Sequence, residues 1–342
     1  MRRSLGKILN RKLKVFCSRQ KEKPTTRVTI YLVKTHILNV IPLTTITLTM
    51  IHTIENEELT VRIDTTGAEL TSIKTKKDNR EFLWQGDPAI WASQAPVLFP
   101  IIGGLKNGTY TYKEKNYSLP KHGFIRYNKN VIGTQNSKTK ASFSLSWSEE
   151  TLSSYPFKFS FTISFELINN QIIVSHTIEN KDSETMFFSV GGHPAFNCPL
   201  DTSEKYEDYY ISLKKTKNPE SYVLNDQGLI SKNTISIIED HKIWLTDTLF
   251  DKDALIFKNI NAKKATLTHK TKGPVLSVDF KDFPDLGIWA KHQSPYVCIE
   301  PWLGYADVEE TTQNIEEKEG IQKLNEGKTH NTSYTITITD YK

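Results

Sequence analysis

The chain has 342 residues, 11% of them aromatic and 24% charged, which excludes a disordered segment and allows one large all-β domain or two ordinary ones. Its net charge of +5 is uneven: residues 1–49 hold eleven Lys/Arg against the one acid Glu22, a net of +10, and the remainder nets −5. A mildly acidic body argues against nucleic acid as partner. The three cysteines, Cys17, Cys198 and Cys298, make neither a disulfide framework nor a zinc spacing and point to a reducing, cytoplasmic setting.

The basic leader comes first. Arg11, Lys12, Lys14, Arg19, Lys21 and Lys23 stand where a secretory signal needs its apolar stretch. The later run Ile37 to Met50 is cut by Asn39, Pro42 and four threonines, and is too short and too polar to span a bilayer. A mitochondrial transit peptide has a similar Arg-rich, acid-poor composition. The simpler reading is an upstream extension outside the fold, with the domain at residues 50–342 and Met50-Ile51-His52-Thr53-Ile54-Glu55 opening its first strand.

From Met50 onward the dominant period is two. Phe157, Phe159, Phe161, Ile163, Phe165 and Leu167 alternate with Lys158, Ser160, Thr162, Ser164 and Glu166, which predicts a half-buried strand. After the turn at Asn169-Asn170, Val174, His176 and Ile178 continue the pattern, so His176 reads as core or cross-strand packing. Met186 to Val190 reads as an apolar strand, as does Tyr296 to Ile299, and Tyr334, Ile336 and Ile338 alternate with threonines in the last. The best helical window, Asp307 to Leu324, reads as loop with a helical turn or two. Turn signals such as Asn107-Gly108, Asp226-Gln227-Gly228 and Lys272-Gly273-Pro274 recur between strands, and no interdomain linker is evident. Many short strands without alternating helices predict a single antiparallel sandwich or barrel.

Three segments carry candidate chemistry. Leu119-Pro120-Lys121-His122-Gly123-Phe124 sets a histidine in a turn, where it is either solvated surface or aimed into a cleft. Gly191-Gly192-His193-Pro194-Ala195-Phe196 follows an apolar strand; the glycines let the backbone bend tightly or approach a ligand, and a structural imidazole at a sheet edge is the alternative. Cys298-Ile299-Glu300-Pro301-Trp302 places a carboxylate between apolar residues, where it needs a partner, structural or catalytic. Trp91, Trp289 and Trp302 offer flat faces suited to sugar C–H groups, though such rings also build cores. Two histidines, a glutamate and tryptophans suit proton transfer on a sugar. Gly103-Gly104-Leu105-Lys106 reads as a turn, and no phosphate-cradling loop, nucleophile elbow or metal motif is present.

These segments, with Pro96-Val97-Leu98-Phe99-Pro100-Ile101-Ile102-Gly103 and Phe283-Pro284-Asp285-Leu286-Gly287-Ile288-Trp289, resemble in order and wording the aldose 1-epimerase (galactose mutarotase) superfamily, particularly its LacX-like branch, from about Met50 to the C-terminus. The resemblance implies a large, twisted antiparallel β-supersandwich with the sugar in an open groove. It implies an isomerase that interconverts the α and β anomers of an aldose, with Glu300 as base for the anomeric hydroxyl, His193 as acid for the ring oxygen, and His122 as an orienting or charge-stabilising partner. No cofactor or metal is implied. Trp91, Trp302, Arg126 and Lys106 are the expected substrate contacts, with Asp253, or its near neighbour Asp251, as the substrate-gripping aspartate. Gly104 stands where many relatives carry arginine, leaving Lys106 and Arg126 as nearby cations and favouring a neutral aldose over a 6-phosphate. A catalytically silent carbohydrate-binding or sugar-sensing protein and a hexose-6-phosphate mutarotase are the alternatives, while a glycoside hydrolase would want a second catalytic carboxylate. The expected partner is a small-molecule sugar, with no nucleic acid or membrane, and the expected state is a monomer or homodimer.

Overall fold

The computed structural model describes residues 50–214 and 219–341. The leader 1–49, and with it the expectation that it stays outside the fold, lies outside the described residues. Period-two patterning yields antiparallel sheet almost throughout, as the sequence predicts. The described residues form a nine-stranded sheet in the order Lys242–Trp244, Tyr209–Ser212, Lys264–His269, Gly273–Asp279, Thr329–Ile338, Gln171–Asn180, Phe159–Ile168, Lys140–Ser146, Ile132–Gln135. An eight-stranded sheet runs Ile230–Ile235, Ser221–Leu224, Leu255–Phe257, Asp285–Trp289, Tyr296–Leu303, Val190–Gly192, Val97–Leu98, and Ala195–Asn197 also pairs with Tyr296–Leu303. Ile51–Glu55, the strand expected at Met50, pairs with Leu59–Asp64 and through it joins Glu69–Thr75 in a smaller sheet.

The two large sheets pack face to face. Phe159, Phe161, Ile163, Phe165 and Leu167 are all buried on one side of their strand, each contributing roughly 1.5–3 kcal/mol of burial. Phe161 stacks at 4.5 Å on Phe99, which follows strand Val97–Leu98 of the other sheet. His176 lies buried in this core, its ring about 6 Å from those of Phe161 and Tyr334.

Two local features depart from the sequence reading, and a third, the Asp307 to Leu324 window, agrees with it as loop with a helical turn. The apolar run Met186 to Val190 divides at Ser189: Met186–Phe188 pairs with Gln322–Leu324, whereas Val190–Gly192 enters the eight-stranded sheet. The window Asp307 to Leu324 holds one 3₁₀ turn, Ile315–Glu317, before that strand. The α-helix Glu149–Ser154 carries no apolar periodicity; it is nucleated by a reciprocal cap, Thr151 N–H to Ser148 Oγ at 3.2 Å and Ser148 N–H to Thr151 Oγ1 at 2.8 Å. No described helix is long and apolar enough to cross a membrane.

Candidate active site

Glu300 does not end a strand, as its Pro301 neighbour suggested, but lies inside Tyr296–Leu303, a strand buried along its whole length. By alternation the Pro301 nitrogen faces the edge where Val190–Gly192 and Ala195–Asn197 part around His193-Pro194, so its missing N–H falls at a break in the ladder. Alternation also sets Cys298, Glu300 and Trp302 on one face. Across the ladder, Gly287 opposes Glu300. A Cβ on Gly287 would stand 2.5 Å from the Trp302 ring, so glycine lets the indole lie across the neighbouring strand. From there Trp302 Nε1–H donates to Glu300 Oε2 at 3.2 Å.

His193 is set from two sides. Its N–H donates to Pro96 O at 3.1 Å, and Ala195 N–H donates to Gln94 O at 2.9 Å. Half-buried Glu69 in turn accepts from the N–H groups of Gln94 and Ala95 at 2.6 and 3.0 Å, a support that sequence reading missed. The glycines ahead of His193 serve packing rather than a ligand: a Cβ would stand 2.6 Å from Pro301 O at Gly191 and 2.5 Å from the Tyr334 hydroxyl at Gly192. The outcome is a contact of 3.4 Å between His193 Nε2 and Glu300 Oε2.

His122 is clasped to the loop that read as a mere turn. Its N–H donates to Gly103 O at 2.9 Å, and its Nδ1 accepts from Gly103 N–H at 3.1 Å. The second bond assigns the proton to Nε2, leaving a neutral ring that offers one donor. His122 adopts φ 69° and Asp253 φ 71°, and such left-handed non-glycine backbone tends to concentrate at functional sites. The His122 and His193 rings meet edge to face at 5.6 Å.

Around these groups is a cleft of about 230 Å³ whose lining includes Trp91, Lys121, His122, Arg126, His193 and Asp253, together with Trp289, Glu300 and Trp302. Trp91 forms an aromatic wall, 5.1 Å from the His193 ring and 5.5 Å from Trp289. Arg126 donates to Ser93 Oγ at 3.1 Å and lies over the Tyr127 ring.

Burial dominates the electrostatics. It holds the Glu300 carboxyl well above the usual carboxylate range, against the opposing effects of the Trp302 hydrogen bond and the Lys121 charge. It lowers His193 to about 3, aided by the charge of Arg126. Two buried groups that each resist charge, in contact, make an electrically neutral pair holding one proton. His122 is likewise pushed down, first by burial and then because a charge on it would disfavour one on the neighbouring His193 ring.

One expectation from the sequence changes, and one choice it left open narrows. Lys106 lies outside the cleft: its ammonium donates to Glu309 O at 2.7 Å and its N–H to Asp307 Oδ2 at 2.9 Å. Lys121, beside His122 in the same motif, is the lysine that lines it. Of the two aspartates, Asp253 lines the cleft, whereas Asp251 pairs with His292 at 2.9 Å. Leu224, Gly228, Ile256 and Ala306 also line it; in the sequence Gly228 read only as part of a turn and the others carried no signal, because tertiary structure alone brings them together.

In comparisons with known proteins, the family model described as Aldose 1-epimerase matches residues 50–337. The chain is 35% identical over 297 residues to the chromosomal Protein LacX of Lactococcus lactis subsp. lactis, covering 83% of this chain and 98% of that protein. Among solved structures, a galactose mutarotase related enzyme from Lactobacillus acidophilus superimposes with a TM-score of 0.80 at 38% identity, over 85% of this chain and 98% of that one. A galactose mutarotase-like protein from Lactobacillus casei ATCC 334 gives 0.80 at 29% identity, over 85% and 100%.

Proposed function

The chain belongs to the aldose 1-epimerase family, and from that premise we propose that it interconverts the α and β anomers of an unphosphorylated aldose by acid/base opening and closure of the ring. The observation that carries this reading is the buried His193–Glu300 contact at 3.4 Å inside a tryptophan-walled cleft. Opening a hemiacetal requires one proton removed from the anomeric hydroxyl and one delivered to the ring oxygen beside it. Moving the pair's proton from carboxyl to imidazole creates a carboxylate base and an imidazolium acid with no change in net charge. Glu300 then takes the hydroxyl proton as the C1–O5 bond breaks and His193 protonates O5. Rotation about C1–C2 and the reverse transfers close the ring on the other face.

His122 Nε2–H is a neutral donor suited to orienting a sugar oxygen. Asp253 and Arg126 supply polar contacts at the cleft, and Trp91 and Trp302 supply apolar surface. A neutral sugar is favoured because Lys106 is engaged elsewhere and, among the described residues, Arg126 is the single arginine lining the cleft, whereas a phosphate calls for a cluster of such forks. In this reading a small sugar is the only partner needed, and the protein works in the cytoplasm as a monomer or homodimer. NMR exchange at the anomeric carbon, run over glucose, galactose and their 6-phosphates, tests it. Faster exchange of the neutral sugars is expected; a strong preference for phosphates overturns the substrate choice, and no exchange in any sugar overturns the activity.

A further inference from the structure

Cys298 takes no part in the proposed chemistry and does not line the cleft, yet it shares a strand face with Glu300 and Trp302. Its Sγ, a His193 ring nitrogen and a Glu300 carboxylate oxygen lie within 4.8 Å of one another, and all three residues are buried. We propose that His193, Cys298 and Glu300 form a binding site for a borderline-soft divalent cation, Zn²⁺ above all, whose occupation reversibly silences the enzyme. The silencing rests on the proposed function; the binding does not.

The donor set selects the ion. One imidazole nitrogen, one sulfur and one carboxylate oxygen suit zinc and its tetrahedral relatives, whereas Mg²⁺ and Ca²⁺ prefer shells of oxygen. Bond lengths of about 2.0–2.3 Å place neighbouring tetrahedral ligands roughly 3.3–3.8 Å apart. The His193–Glu300 separation of 3.4 Å already meets that requirement. The three donor atoms lie within 4.8 Å of one another, so closing the shell needs a movement of at most about 1–1.5 Å. The Trp302 indole N–H on Glu300 is the kind of outer contact that steadies a carboxylate ligand. Because His193 and Glu300 also line the cleft, a bound ion would have water or a sugar hydroxyl within reach as its fourth ligand.

Charge balance suits a divalent ion, and the donor types above choose among them. Without metal, the thiol is neutral and the His193–Glu300 pair is neutral with its one proton. Binding Zn²⁺ to thiolate, neutral imidazole and carboxylate releases the thiol proton and the pair's proton to solvent, and the 2+ charge is cancelled by two anionic ligands. No electron moves, and the buried site remains neutral throughout, which avoids the cost of an unpaired buried charge. Once the carboxylate and imidazole lone pairs are bound to metal, neither can exchange a proton with a sugar.

Full-length protein stripped by a chelator is titrated with Co²⁺ and followed in the near ultraviolet for the thiolate-to-cobalt charge-transfer band. Zn²⁺ affinity is measured against a chromophoric chelator. One cobalt per chain is expected, with the band absent from Cys298→Ser and Cys298→Ala and retained in Cys17→Ser and Cys198→Ser. Zn²⁺ affinity should fall at least tenfold in the two Cys298 variants, and Zn²⁺ should inhibit anomerisation by wild type, reversed by EDTA, but not by Cys298→Ser. Absence of the band from folded wild type, its persistence in either Cys298 variant, or its loss with Cys17→Ser overturns the site. A cobalt band in a chain that anomerises no sugar sinks the proposed function and leaves the metal site standing; an active chain without the band does the reverse.

Discussion

At the level of single residues, the proposal concentrates on one contact. Loss of a positioned proton-transfer group costs about 10² to 10⁴ in rate. Glu300→Gln and His193→Asn are therefore expected to fold, bind sugar and lose kcat by that factor; near-normal kcat in both would remove the pair from the mechanism. Trp302→Phe tests the support rather than the pair. It keeps most of the ring over Gly287 but deletes the N–H that Glu300 Oε2 accepts at 3.2 Å. Hydrogen bonds to charged groups are worth about 1.5–3 kcal/mol, so kcat should fall roughly 10- to 100-fold, with a smaller change in KM. A rise in KM at constant kcat would instead assign Trp302 to sugar stacking alone.

At the level of elements, strand spacing controls the site from behind. In Gly287→Ala the added methyl would meet the Trp302 ring at 2.5 Å, closer than packed atoms allow. The indole must shift, so lower kcat and a lower Tm are expected together, whereas an unchanged kcat would show that the ring's position is not critical. The other sheet contributes a pH dependence. His176 has both ring nitrogens without a hydrogen-bond partner, and burial lowers it to about 3 from an ordinary 6.5. A depressed folded-state value means that the neutral ring's contribution is fully present above about pH 6.5. Below that the unfolded chain takes up the proton first, so stability falls toward pH 3 with a slope of up to ~1.4 kcal/mol per pH unit. Denaturant unfolding between pH 4 and 7 should show a shallower slope for His176→Phe. Equal slopes would mean that His176 is not held neutral in the core.

At the level of the whole molecule, the cleft is a property of the sandwich. Phe99 stacks on Phe161, and Gly192 meets Tyr334, so the His193 turn is seated by contact with the opposite sheet. Among the described residues the buried apolar core runs from Ile54 onward, and the family match begins at residue 50. A chain starting at Met50 is accordingly expected to melt cooperatively at the wild-type temperature with unchanged kcat/KM. A large loss of either would give residues 1–49 a part in stability or activity.

The sequence alone determined the fold class, because period-two alternation and turn chemistry are local: Phe159 to Leu167 face the core whichever strand lies beside them. It also picked out His122, His193 and Glu300, whose glycine, proline and tryptophan neighbours set them apart from ordinary surface residues, and the wording of those segments carried the family resemblance. Tertiary structure decided which groups meet. Lys106 and Arg126 were equal candidates in sequence, but the Glu309 carbonyl takes the lysine out of the cleft, and a hydrogen bond with His292 sets Asp251 apart from Asp253. Gly287 and Trp302 lie in different strands and become neighbours through antiparallel register, and His193 and Cys298, more than a hundred residues apart, meet because a turn interrupts the ladder beside Pro301. Long-range proximity of this kind depends on strand order and on single hydrogen bonds, neither of which leaves a period in the chain.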